Sequence, residues 1–237
     1  DVNRNRLEEL RREFQVNVAE NNRDAAQRSN VILLAVKPQQ LGDVLSEIQD
    51  CIDENQIIIS IAAGVSTKAI SRRIEKNIPI IRVMPNLSVL VRKGISVISP
   101  GAAVGESSVE LAERLFASVG EIIFLEEELQ NQAMALSGCG PAYFYYFVEN
   151  LIEAGKKSGL DSQIATKLVI ETLVGAGAML KETGKPPTKL REMVTSPGGT
   201  PSAAWQVFEQ AGFPEWFLKA VEAAIKRAQE LEQMIQI

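Results

Sequence analysis

Three short apolar runs dominate the first half of this chain: Val31-Ile32-Leu33-Leu34-Ala35-Val36, Ile57 to Ile61, and Ile78 to Met84. Each is continuous and bounded by polar residues, the pattern of a strand buried on both faces. Helices are predicted between them, at Gln40–Ile48 and at Lys68–Ile74 with Ser66 as its cap. Two further strands are predicted at Gly94–Ser99 and Glu121–Leu125, with the helix Ser107–Ser118 between them. Ahead of the first run, Asp1-Val2-Asn3 reads as the tail of a strand. Arg4–Phe14 reads as an amphipathic helix with Leu7, Leu10 and Phe14 on one face, Val16-Asn17-Val18 as a short strand, and Asn22 as the cap of a helix Arg23–Arg28. Strand and helix in alternation predict an α/β, doubly wound parallel sheet with helices on both faces. Ligands collect at the C-terminal ends of such strands. Here those ends carry Ala35-Val36-Lys37-Pro38, Ala62-Ala63-Gly64 and Met84-Pro85-Asn86. One such loop is ordinary turn chemistry; three at successive strand ends point to a ligand.

The character of the chain changes near Leu129. From there no strand pattern is found, and helices are predicted at Gln130–Leu136, Pro141–Ser158, Ser162–Thr183, Thr188–Val194, Ser202–Ala211 and Pro214–Ile235. Two domains follow, residues 1–128 with the sheet and residues 129–237 all-helical. Pro141 suits a helix first turn, and Gly159 and Gly184 suit helix ends. The helix 162–183 carries Ala165, Val169, Leu173, Val174, Ala176, Gly177 and Ala178, so it is expected to be buried, with a subunit interface supplying part of the cover. The cluster Tyr143 to Phe147 is expected in a core or a dimer contact. Between two helical stretches lies Val194-Thr195-Ser196-Pro197-Gly198-Gly199-Thr200-Pro201. Adjacent glycines let main-chain N–H groups approach a ligand, and the helix start just after them adds unpaired N–H groups and a positive dipole end. A small carboxylate or phosphate would fit there, although the same letters also suit a plain connector.

Composition narrows the chemistry. With 46% hydrophobic residues, 23% charged and a net charge of -5, the chain is that of an ordinary globular protein without the basic footprint of a nucleic-acid binder. No apolar run approaches the roughly 18 residues that cross a bilayer, so no membrane partner is expected. Asp1 to Arg12 is charged and unlike a secretory signal. Cys51 and Cys139 lack metal-ligand spacing and read as reduced thiols of a cytoplasmic protein. Histidine is absent, which excludes a Ser–His–Asp triad, Cys–His chemistry and most zinc sites. No metal is expected. Catalysis must rest on positioning, hydroxyls, backbone donors, Lys or carboxylates, and a cofactor with its own reactivity fits that constraint.

A dinucleotide-binding sheet begins with strand, Gly-rich turn and helix, and a polar residue at the end of the second strand follows by roughly 20 residues. No G-x-G-x-x-G lies near the front here. Asp1-Val2-Asn3-Arg4 reads as the end of that second strand, in a Rossmann-like domain lacking its first βα unit. Asn3 and Arg4 would then lie near the adenosine ribose, and Arg there suits the 2′-phosphate of NADP(H), with NAD(H) the alternative.

Five motifs occur in the order seen in pyrroline-5-carboxylate reductases: Ala35-Val36-Lys37-Pro38-Gln39, Ala62-Ala63-Gly64, Arg82-Val83-Met84-Pro85-Asn86, Ser137-Gly138-Cys139-Gly140-Pro141-Ala142-Tyr143, and Val194 to Thr200. Each is weak alone; the ordered set resembles that family over essentially the whole chain. The resemblance implies a Rossmann domain, a helical domain that interlocks in homodimers or decamers, and reduction of 1-pyrroline-5-carboxylate to L-proline, the last step of proline biosynthesis, by a nicotinamide hydride. It places Ala35, Val36, Lys37, Pro38, Ala62, Ala63, Gly64 and Asn86, with Asn3 and Arg4, around the cofactor. Ser196, Gly198, Gly199 and Thr200 would hold the substrate carboxylate. Most family members place a threonine near the substrate nitrogen where this chain has Pro201, so Thr200 or Ser202 is the candidate catalytic hydroxyl. Two alternatives remain: a non-catalytic oligomeric remnant of the family, and a related 3-hydroxy-acid dehydrogenase. The latter needs a catalytic lysine in the helix opening the second domain. Here aromatics stand there, with Lys156 and Lys157 only at that helix's end.

Overall fold

A computed structural model of the chain describes residues 1–234. Its described residues form two compact units: Asp1–Gly138 together with residues 226–234, and Cys139–Ile225. The division thus falls at Gly138/Cys139, ten residues beyond the 128/129 boundary at which the strand pattern stops. The reason is a set of buried contacts: Gln130 is fully buried, its Nε2 donating to the Val97 carbonyl (3.2 Å) and to Ser99 Oγ (2.8 Å). Those bonds hold the 130s against the sheet.

In the first unit, α1 (Arg4–Phe14) starts on Asn3, whose side chain accepts from the Arg6 N–H, and buries none of its residues. Asp1–Asn3 joins no strand, and neither does Val16–Val18. Helix α2 (Asn22–Gln27) is capped by Asn21 rather than Asn22: Asn21 accepts from the Asp24 N–H, while Asn22 donates to Glu47. Then follow β1 (Val31–Leu34), α3 (Pro38–Ile48), β2 (Ile57–Ser60), α4 (Thr67–Ile74) capped by Ser66, β3 (Ile80–Pro85), a 3-10 turn Leu87–Val91, β4 (Gly94–Pro100), α5 (Glu106–Ala117) and β5 (Gly120–Phe124). Proline at the first turn of α3 costs no hydrogen bond, since that N–H would have no partner.

The sheet runs in the order β1-β2-β3-β4-β5. Strands β1, β2 and β3 are parallel, as are β4 and β5, but β3 and β4 are antiparallel. The all-parallel expectation fails at this one step because the link Asn86–Lys93 is too short; a parallel crossover takes about a dozen residues or more. Successive residues of a strand point to opposite faces, and two apolar clusters result. Leu34, Ile58 and Ile80 pack with Leu41, Leu45, Ile70 and Ile74 of α3 and α4. Ile59, Ile81, Val83 and Ile98 pack with Ala112 and Phe116 of α5. Leu33 lies opposite Ile59 in register yet is 48% exposed. The expectation that its run is buried on both faces fails there: Val31 still packs against the α5 cluster, but Leu33, two residues on along the edge strand β1, does not.

Past β5, a 3-10 turn Glu127–Leu129 leads to α6 (Gln130–Ala133), which gives way to a π-helical turn Met134–Gly138 rather than running to Leu136. Gly138 packs on Met134 and Met84.

The second unit consists of α7 (Gly140–Lys157), α8 (Ser162–Thr183), α9 (Pro187–Val194), α10 (Thr200–Gln210) and the first part of α11 (Phe213–Met234). The predicted helix end at Ile235 lies outside the described residues. Helices α7 and α8 form a hairpin. Gly159 has φ +99°, Asp161 caps α8, and Gly155 approaches Ala165 so closely that an added Cβ would sit 3.2 Å from the alanine methyl. Gly184 ends α8 in the left-handed conformation. The expected burial of α8 is not met within one chain: only Ala165 is buried, and Ile164, Leu168 and Val174 are exposed. Phe144, Tyr145, Tyr146 and Phe147 of α7 are also exposed, so that cluster is no core of this chain. Among the described residues, α8 is long and apolar enough to cross a membrane, which corrects the reading that no run approaches that length.

Candidate functional site

At the first unit's edge, the paired residues Leu34 and Ser60 end β1 and β2 side by side, and Ile61 N–H still bonds the Leu34 carbonyl at 3.1 Å. Three of the expected cofactor segments therefore leave the C-terminal ends of the three mutually parallel strands β1, β2 and β3. Ala35, Val36, Lys37 and Pro38 leave β1, with Lys37 exposed ahead of α3. Ala62, Ala63 and Gly64 leave β2, with Ala62 buried and Gly64 at φ +71°. That φ suits glycine, and the small side chains leave room for a ligand against the backbone. Asn86 follows β3, and its Oδ1 accepts from the Ile95 N–H at 3.2 Å, extending the β3–β4 ladder by one side-chain bond. Asn3 and Arg4 are not tied to this edge by strand pairing: Asn3 caps α1 and both residues are exposed. The edge fits a dinucleotide in its position and in its small-residue turn.

In the second unit, the Ser196 carbonyl accepts from the Gly199 N–H at 3.0 Å, with Pro197 and Gly198 between them and Gly198 at φ +72°. This is a type II turn, with proline and glycine at its two central positions. Gly199 then serves as the N-cap of α10, which has no side-chain cap. The Ala203 N–H bonds Gly199, whereas the Thr200 and Ser202 N–H groups precede the first intrahelical bonds and Pro201 has none to offer. Ser196, Gly198, Gly199 and Thr200 are thus brought together, with the Ser202 side chain half-buried beside them. Arg191 of α9 stacks over the Trp205 ring of α10 at 4.1 Å, bracketing the turn.

Two features escaped the sequence reading. The Tyr143 hydroxyl is sealed from solvent and has no hydrogen-bond partner among the described residues. Burial pushes its pKa above the ordinary tyrosine value, and the neighbouring Cys139 adds to the rise. The second is an ion pair inside the first unit, between Arg82 of β3 and Glu127. A lone arginine within the apolar run Ile78–Met84 was the available signal, since a buried charge calls for a partner.

Residues 127–231 match the family model described as pyrroline-5-carboxylate reductase dimerisation, and residues 1–64 match the one described as NADP oxidoreductase coenzyme F420-dependent. Pyrroline-5-carboxylate reductase 1 of Bacillus spizizenii is 35% identical over 234 residues, covering 99% of this chain and 79% of that protein. The solved pyrroline-5-carboxylate reductase of Coxiella burnetii superposes with a TM-score of 0.90 at 36% identity, over 98% of this chain and 86% of that one. The Plasmodium falciparum pyrroline carboxylate reductase, solved with NADP bound, gives 0.87 at 31% identity, over 93% of this chain and 84% of that one. With a fold of sheet unit and helical unit, the motif order on the expected elements and these likenesses, the chain belongs to the pyrroline-5-carboxylate reductase family.

Proposed function

We propose that this chain reduces 1-pyrroline-5-carboxylate to L-proline with NADP(H), NAD(H) being the alternative reductant. The observation that carries the reading is the Ser196–Gly199 turn opening onto the unpaired N–H groups of α10, in a chain of this family. Such donors suit a carboxylate. NADP(H), when bound, supplies the hydride that the C=N carbon accepts. Lys37, Ala62, Ala63, Gly64 and Asn86 hold it, with Asn3 and Arg4 as the proposed contacts to its adenosine end. The imine nitrogen is basic and takes its proton from water or from the Thr200 or Ser202 hydroxyl, so the absence of histidine is no obstacle. What the protein contributes is orientation: a pinned carboxylate fixes which ring carbon meets the hydride donor.

The 3-hydroxy-acid dehydrogenase alternative is disfavoured by α7, whose start carries Tyr143 to Phe147 while Lys156, near its far end, is paired with Glu153 at 2.8 Å. The apolar faces of α7 and α8 and the dimerisation match support an oligomer, proposed as a homodimer with a decamer as the higher assembly. Those faces would then pack on another copy rather than on lipid. A cytoplasmic location is proposed from the two free thiols. The test is NADPH oxidation by the purified chain with 1-pyrroline-5-carboxylate. Substrate-dependent turnover supports the reading; a folded chain that binds neither compound favours the non-catalytic remnant.

A further inference from the structure

The turn that follows β2 is anchored at both ends. At its start, the Ala62 N–H donates to Ser60 Oγ at 3.3 Å. At its far end, Glu127 grips Thr67, the first residue of α4, with both carboxylate oxygens: the Thr67 N–H donates to Oε1 at 2.8 Å and Thr67 Oγ1 donates to Oε2 at 2.7 Å. Sixty positions separate the two residues. The carboxylate also meets the N-terminal, positive end of α4, a favourable place for an anion. Arg82, with a side chain only 4% exposed, brings a guanidinium N–H to Glu127 Oε1 at 3.5 Å. In the sheet Arg82 pairs with Ser60 on one side and Ser99 on the other, both fully buried. Buried charges are held by such pairing, and removing one partner leaves the other uncompensated.

We propose that Glu127, held by Arg82, is a positioning residue for the nucleotide turn Ala62–Gly64, acting through Thr67. The proposal rests on the assignment of that turn to the dinucleotide. Gly64 at φ +71° and two alanines give the turn no side-chain hydrogen bonds of its own, so beyond the packing of Ala62 and Val65 in the core its path is set by these anchors. Glu127 is also the first residue of the stretch that matches the dimerisation model. The start of α4, three residues beyond the nucleotide turn, is therefore bonded to the first residue of that stretch.

The experiment measures the Kd of NADPH by fluorescence titration, alongside thermal midpoints and the KM for 1-pyrroline-5-carboxylate at saturating NADPH. Thr67→Val removes the hydroxyl and keeps the shape; Thr67→Ser keeps the hydroxyl; Glu127→Gln removes the charge. Thr67→Val and Glu127→Gln should weaken NADPH binding about tenfold, the worth of one hydrogen bond to a charged group. Thr67→Ser should stay near wild type, and the pyrroline KM should not move in any variant. Glu127→Asp, with a shorter reach, is the milder variant should Glu127→Gln fail to fold, and an intermediate Kd is expected of it. Folded Thr67→Val and Glu127 variants that bind NADPH normally, while Gly64→Val loses it, would overturn the coupling and leave the turn assignment standing. Normal NADPH binding in all of them, Gly64→Val included, would overturn both. A lowered thermal midpoint with unchanged Kd marks a purely structural bond and also overturns the proposal.

Discussion

Ser196 and Gly199 are in close contact: a Cβ built on Gly199 would stand 2.5 Å from Ser196 Oγ and 3.1 Å from its carbonyl oxygen, the atom that accepts the Gly199 N–H. Gly199→Ala should displace the serine hydroxyl and press on the Ser196 carbonyl. Gly198→Val forces a β-branched residue to φ +72°, at about 1–3 kcal/mol of backbone strain. Both variants should fold and lose affinity for the substrate carboxylate, by tenfold or more for Gly198→Val on the order of that strain. Titration with proline checks this, and unchanged affinity in Gly198→Val removes the pocket.

Pro201 is the place where α10 lacks a donor. Pro201→Thr adds an N–H and a hydroxyl to the first turn. A gain of about tenfold in kcat/KM for 1-pyrroline-5-carboxylate is expected, the scale of one hydrogen bond to a charged group. Ser202→Ala in the native background should lower kcat if that hydroxyl gives the proton. Equal kcat in Ser202→Ala would hand the role to Thr200 or to water.

Tyr143 makes the alkaline limb of stability informative. Its folded pKa is raised above the ordinary tyrosine value of about 10, mainly by burial. Between that unfolded value and the raised folded one, the native state holds more protons than the unfolded state, so stability falls as pH rises through this window. Tyr143→Phe removes that contribution. Melting curves of the two proteins should run parallel below pH 10 and diverge above it, with wild type falling faster. Parallel curves throughout would show that the hydroxyl is solvated in solution.

Val174 is 61% exposed on α8, in a helix apolar on most of its sides. Val174→Asp should leave each chain folded and dissociate the oligomer, because an unpaired charge in a covered apolar face costs several kcal/mol. Sedimentation velocity reads the result. An unchanged mass would show that this face stays open in the assembly.

Much of the local structure at the candidate site was legible in the letters for a local reason. The Ser-Pro-Gly-Gly turn, the small residues at Ala62–Gly64 and the cap at Ser66 are each decided within a few residues of chain, by the φ that proline fixes, the freedom that glycine has and the reach of one hydroxyl. The helix α8 shows where this fails. Its hydropathy reads as burial, and the chain alone buries only Ala165, because burial there depends on a surface outside the chain.

By itself the sequence determined the order of β1 to β5 with the helices between them, the change from sheet to helices near Leu129, and the local form of the candidate anion turn, since all of these follow from periodicity and turn chemistry over short windows. Tertiary structure decided the rest. It set β4 antiparallel to β3, left Leu33 uncovered at the sheet edge, and joined Glu127 to Thr67. Those outcomes depend on which distant segments meet once the apolar faces are covered, and no local pattern encodes a bond across sixty residues.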